Sequence, residues 1–198
     1  MSEYLSTSSS YVLWVCPICN GEYTAKISDR EAGDDSCPYC TNRRVLPGYN
    51  SIDVIKPELI PEWSSNNPKS MCYYLPTSSS YVLWICSTCN GVYTAQICDR
   101  EAGDDSCPYC TNRKVLPGFN SFAIKHAELL EEWDYINNYL ICNPDTILDN
   151  NNINVWWICK YCNKRYSLSV KKKLYYNKRH MKSCTYCKGL RRKKKYFF

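Results

Sequence analysis

No stretch of this 198-residue chain approaches the roughly 18 consecutive apolar residues that a membrane helix needs. Residues 1–10 (MSEYLSTSSS) offer neither a basic n-region nor an apolar h-region, so no secretory leader is expected. Histidine is scarce. His126 and His180 are the two present, and neither supplies the zinc-deaminase pattern: His126-Ala127-Glu128 reads His-x-Glu, but no Pro-Cys-x-x-Cys follows it. Acidic residues almost vanish from the last third, where Asp145 and Asp149 face fifteen Lys and Arg. These absences point to a soluble protein of a reducing intracellular compartment, with no catalytic residues and no small-molecule substrate.

Cysteine, by contrast, is abundant. Twelve of the fifteen fall into three sets of paired Cys-x-x-Cys: Cys16, Cys19, Cys37 and Cys40; Cys86, Cys89, Cys107 and Cys110; Cys159, Cys162, Cys184 and Cys187. Seventeen residues separate the pairs in the first two sets and twenty-one in the third, close to the roughly 15–20 of a four-cysteine zinc site. Two residues between cysteines let a tight knuckle present two sulfurs to one ion, and zinc takes four thiolates tetrahedrally. The rival, a secreted disulfide scaffold, fits poorly with an odd cysteine count and no leader. Three structural Zn²⁺ are therefore expected, because four thiolates leave no open position for catalytic water.

The chain also repeats. Residues 7–50 and 77–120 align without a gap at an offset of seventy, with 36 of 44 positions identical, the mark of a tandem duplication. The expected modules are 7–70, 77–140 and a basic module at 153–198, and modules that small need a metal staple. Within each, residues 11–15 (YVLWV) read as a strand, Asn20-Gly21 as a tight turn, and residues 22–27 as the returning strand. Residues 28–31 suit one helical turn ended by Gly33. Ile52, Leu59, Ile60 and Trp63, matched by Phe122, Leu129, Leu130 and Trp133, suit one face of a trailing helix, with Glu58, Glu62, Glu128, Glu131 and Glu132 on the wet side. Pro57 suits a helix start and would split the first version. Residues 143–154 read as a linker. The fold class expected is small mixed α/β: three zinc-stapled treble-clef or zinc-ribbon-like modules in tandem.

On those residues the chain resembles a known family. Trp14-x-Cys16-x-x-Cys19, Arg30, Gly33, Cys37-Pro38-Tyr39-Cys40, residues 43–48 (RRVLPG), Asn50-Ser51, Pro57-Glu58-Leu59 and Glu62-Trp63 look like the tandem probable zinc-ribbon family of treble-clef-like domains. The second repeat matches as well, with Ala127 in place of Pro57, and the third module matches through its cysteines and tryptophans. The resemblance implies four-cysteine zinc binding on a small hairpin-and-helix fold. Such modules occur in bacteria, phages and large DNA viruses, sometimes beside nuclease domains. No nuclease domain accompanies them here, so catalysis does not carry over, while a virion component fits the distribution.

Charge divides the chain. Residues 1–70 carry −3, residues 71–140 carry −4 and residues 141–198 carry +13. The cations Lys171, Lys172, Lys173, Lys178, Arg179, Lys182, Arg191, Arg192, Lys193, Lys194 and Lys195, interleaved with tyrosines, form a candidate polyanion surface. Two functions stay open: a structural or adaptor protein whose acidic modules dock proteins while the basic one contacts nucleic acid or another acidic partner, and a dedicated tandem DNA- or RNA-binding protein. Trp14, Trp84 and Trp157 shield zinc in the first and stack on bases in the second. Arg30 and Arg100 make local bonds or touch phosphate. Cys72, Cys98 and Cys142 are small, buried or half-buried side chains, or a further metal site.

Overall fold

A computed structural model describes residues 5, 7–31, 33, 36–103 and 106–189. The chain divides into two compact units, Met1–Ser106 and Cys107–Phe198. The architecture is small mixed α/β, in which each secondary element is short and the sheets are two-stranded hairpins.

The first unit holds two of the hairpins. β1 (Tyr11–Val15) pairs antiparallel with β2 (Glu22–Lys26), followed by α1 (Ile27–Glu31). A second short helix, α2 (Ile52–Ile55), leads into a 3₁₀ segment at Pro57–Glu62. β3 (Tyr81–Ile85) then pairs with β4 (Val92–Gln96), followed by α3 (Ile97–Ala102). Both hairpins have the same register, Trp14 opposite Tyr23 and Trp84 opposite Tyr93. The single helical turn expected after each hairpin is present, and Gly33 and Gly103 end it at φ 76° and 77°, a conformation that glycine adopts without a Cβ penalty.

The second unit repeats the plan. α4 (Phe122–Lys125) leads into a 3₁₀ segment at Ala127–Glu132 and then α5 (Tyr135–Asn138). β5 (Asn154–Ile158) pairs with β6 (Arg165–Ser169), and α6 (Val170–Lys178) follows. Its core gathers Phe122, Leu129, Trp133, Ile147, Val155, Trp157, Tyr166 and Val170 around the ligands Cys159 and Cys184. Residues 143–154 are thus more than a linker. Ile147 is buried in that core, and its carbonyl accepts from Phe122 N at 2.8 Å.

The expected trailing helix differs from the structure in two ways. It is a short α turn followed by 3₁₀ helix, broken at Lys56 and again at His126, so the break does not depend on Pro57. Its apolar face also meets the hairpin that follows it in the sequence. Trp63 bridges Trp84, and Trp133 bridges Trp157. The rings meet edge-on with centroids 5.3 and 5.2 Å apart, the arrangement that aromatic quadrupoles favour. A two-stranded hairpin is marginal alone and needs something packed on it, and the arriving tryptophan supplies that apolar cover. We call residues 57–67 and 127–138 straps.

Each strap also closes a strand edge. Asn67 Oδ1 accepts from Leu83 N at 2.7 Å, while its Nδ2 donates to Leu83 O at 2.9 Å, and Ser64 N donates to the same oxygen. Asn138 treats Trp156 identically, at 2.8 Å for both bonds, and Asp134 N joins it. One asparagine amide therefore stands in for a neighbouring strand. Such an edge would otherwise leave its donor and acceptor open to another chain.

Candidate metal centres

Each hairpin turns through a knuckle whose backbone follows from its residues. Cys16 N donates to Gly21 O and Asn20 N to Cys16 O, and the same two bonds recur at Cys86 and Cys159. The turn requires a left-handed residue, supplied by Asn20, Asn90 and Asn163 at φ 51–56°, where asparagine is tolerated. At Gly21 a Cβ would lie 2.5 Å from the Tyr39 ring, so the first hairpin needs glycine there. Lys164 takes the corresponding place in the third.

The second knuckle of the first two sets is held by a polar hub that the sequence did not reveal. Asn50, buried, accepts from Leu46 N and donates to the carbonyls of Tyr39 and Arg44 and to Asn42 Oδ1. Asn120 repeats this with Leu116, Tyr109, Lys114 and Asn112. These bonds lock the loop that carries Cys37 and Cys40, and its counterpart.

In each of the three sets the four Sγ atoms lie within 4.8 Å of one another. Cys16–Cys40 and Cys19–Cys37 stand 3.6 Å apart, and Cys159–Cys187 and Cys162–Cys184 stand 3.7 Å apart. A disulfide would need about 2.05 Å. Four sulfurs placed tetrahedrally at about 2.3 Å from zinc would lie roughly 3.8 Å from each other. The donors therefore fit zinc, and all twelve paired cysteines fall in these sets. Three structural Zn²⁺ ions account for them.

The electrostatics agree. The backbone N–H groups of Cys19 and Ile18 hold the Cys16 thiol down at about 6, whereas burial above all pushes Cys19 up to about 12. Contact with Cys162, then burial, pushes Cys187 up to about 12 as well. One thiolate forms readily while burial holds its neighbours protonated, and a bound dication would favour the thiolate at all four. The Tyr49 hydroxyl lies 3.5 Å from Cys40 Sγ, and that bond first, with burial, raises the phenol to about 12.

The other candidate residues scatter. Cys72, Cys98 and Cys142 are half-buried, free, and outside the clusters of metal-ligating groups among the described residues. Burial pushes the Cys142 thiol up, as expected for a packing residue. His126 stacks on Phe122 and lies 3.7 Å from Glu128 and 3.8 Å from Asp149. His180 is exposed and left-handed at φ 54°. The indoles of Trp14, Trp84 and Trp157 donate to Ala25 O, Ala95 O and Leu168 O across their own hairpins, and Trp84 and Trp157 are fully buried. Those two offer no face to a base.

Arg30 donates to Tyr23 Oη at 2.9 Å and lies over Trp14. Arg100 lies over Trp84 and is ion-paired with Glu62 of the strap. The third module puts a lysine in this position. Lys173, expected on the polyanion surface, is only 3% exposed. Its Nζ lies 2.6 Å from Glu132, 3.0 Å from Tyr166 Oη and 3.2 Å from Ser183 Oγ. Both members of this pair correct the sequence expectation: Glu132 is not on the wet side, and Lys173 is not at the surface. The strap presses the two against Trp157, over which the ammonium sits at 5.0 Å. Beside them, Asp134 is buried. Burial would raise its carboxyl, but Asn137 and Arg165 hold it below the ordinary carboxylate value.

Lys171, Lys172, Lys178, Arg179 and Lys182 are exposed. Arg179 covers the Tyr175 ring at 3.9 Å and Lys188 covers Tyr176 at 3.4 Å, so cations already occupy faces of those rings. Arg191, Arg192, Lys193, Lys194 and Lys195 lie outside the described residues.

Three thiolate tetrahedra, each at the end of a β-hairpin, define a protein built of structural zinc modules. The chain belongs to the family described as the probable treble clef zinc finger domain, whose model matches residues 1–43, 59–113 and 129–190. No curated protein matches it. No helix among the described residues is long and apolar enough to cross a membrane.

Proposed function

We propose that this is a non-enzymatic adaptor, whose acidic first and second modules dock proteins while the basic third module contacts nucleic acid. The observation that carries this reading is the charge division. Residues 141–198 hold +13 against −7 over residues 1–140, and a zinc–tetrathiolate centre adds a further −2 to each module. In the third module the exposed cations Lys171, Lys172, Lys178, Arg179 and Lys182 lie on or just after α6. Phosphate neutralisation dominates non-specific nucleic-acid affinity, so a −7 segment is a poor partner for it and a +13 segment a good one.

The test is the salt dependence of oligonucleotide binding by the zinc-loaded full chain. Each lost phosphate contact should flatten the log–log slope by about 0.9 on duplex DNA. Replacing Lys171, Lys172 and Lys178 with Ser should lower the slope by up to about three such steps, while Arg44→Ser with Lys114→Ser leaves it unchanged. Equal effects from the two sets would instead favour a dedicated binder with all modules on the nucleic acid. No measurable binding would leave the protein-docking half alone.

A further inference from the structure

Two of the three hairpins carry a strap. Among the described residues, none crosses the first. The comparison is close because residues 11–14 and 81–84 are the same four residues, Tyr-Val-Leu-Trp, in the same strand register. Beneath its strap Trp84 is 0% exposed and Val82 buried, whereas Trp14 and Val12 are half-buried, Leu13 is 64% exposed and Val15 is 60% exposed. The edge is equivalent too. Leu83, opposite Thr94, turns its N–H and C=O outward to Asn67, and Leu13, opposite Thr24, presents the same pair of groups. Arg30 sits over Trp14 at 5.0 Å, as Arg100 sits over Trp84 at 5.4 Å, where the strap glutamate arrives.

We propose that the outer edge and face of the first hairpin, Val12 to Val15, are a docking site for a strap of another polypeptide. Its recognisable chemistry is Leu-x-x-Glu-Trp followed four or five residues later by Asn, the pattern of Leu59, Glu62, Trp63 and Asn67 and of Leu129, Glu132, Trp133 and Asn138. The tryptophan packs edge-on against Trp14, the glutamate lies beside Arg30, and the asparagine amide takes both backbone groups of Leu13. A second copy of this chain is the poorer occupant, because both of its straps already cover its own hairpins. To cover this one it would uncover another, with no net gain. The site rests on the protein-docking half of the adaptor reading and gives it a partner class. Its readout lies at Leu13 and is separate from oligonucleotide binding.

The experiment titrates a synthetic peptide with the sequence of residues 57–69 (PELIPEWSSNNPK) into the zinc-loaded full chain, following affinity and amide exchange residue by residue. Saturable binding with new protection at Leu13 is expected. An Asn67→Ala peptide loses two hydrogen bonds and should bind at least about tenfold more weakly, and a Trp63→Ala peptide should not bind measurably. In the chain, Leu13→Pro removes the outward N–H at a position where an edge strand accepts proline. It should abolish binding while three zincs and the second hairpin's protection remain. If that variant loses its first zinc, the two peptide variants still decide. Four results overturn the proposal: no binding, binding indifferent to both peptide substitutions, protection at Leu83 in place of Leu13, or self-association of the chain through Leu13, which would make a second copy the occupant.

Discussion

Replacing Lys173 with methionine should unfold the third module's core far more than a surface lysine would. The ammonium is enclosed by Glu132, Tyr166, Ser183 and the Trp157 ring. Methionine fills most of the space but leaves the Glu132 carboxylate, 12% exposed, without its cation. Breaking one side of such a buried pair costs about 3–5 kcal/mol, and Glu132→Gln should cost a similar amount. Removing both, as Glu132→Leu with Lys173→Met, leaves Tyr166 and Ser183 bonded to each other at 2.7 Å. The double variant should then lie close to the wild type or above it, as hydrophobic replacement of buried pairs often does. In a domain of 60–100 residues each ~1 kcal/mol moves the melting midpoint by about 4–8 °C, so either single change should lower it by ~12 °C or more. Thermal unfolding of the zinc-loaded chain, with amide exchange read on β5, β6 and α6, measures all three variants. Single losses under ~1 kcal/mol, or a double variant as poor as the two singles summed, would refute the coupling. Lys173→Met should also leave the salt slope for oligonucleotides unchanged, unlike Lys171 and Lys172.

Native mass spectrometry in reducing buffer should find three zinc ions per chain, and a metal-free form that stays folded would sink the assignment. Cys37→Ser should release one zinc and expose the first hairpin, residues 11–26, to amide exchange, because a structural site supplies roughly 10–16 kcal/mol of apparent binding energy to its own lobe. The second hairpin, residues 81–96, keeps Trp63 on Trp84 and should stay protected; equal loss in both would mean one cooperative body.

Much of the zinc chemistry was legible because it depends on local spacing. Cys-x-x-Cys fixes a knuckle, Asn20 its left-handed turn, and residues 11–15 and 22–27 read as the hairpin that turns through the first knuckle. What was illegible is long-range. The periodicity of Leu59 and Trp63 shows that a face is apolar but not which surface it meets, so the strap read as the tail of its own lobe. Glu132 and Lys173 read as solvated because each is polar alone, and only the fold brings them together across forty-one residues. A signal was present: Arg30, Arg100 and Lys173 each stand seven residues after Tyr23, Tyr93 and Tyr166, which places a cation at the same point of three hairpins. Asn50 and Asn67 gave less warning, since asparagine at a loop is ordinarily read as a turn residue.

Because each strap precedes the hairpin it covers, the order of synthesis matters. Trp63 leaves the ribosome twenty-one residues before Trp84, on the order of one to four seconds at ordinary elongation rates. During that interval the strap is without the hairpin it will cover, while all four cysteines of the first set have already been made. The second and third hairpins each emerge to meet a strap synthesised ahead of them, so the segment that will cover each is available as soon as its strands are made.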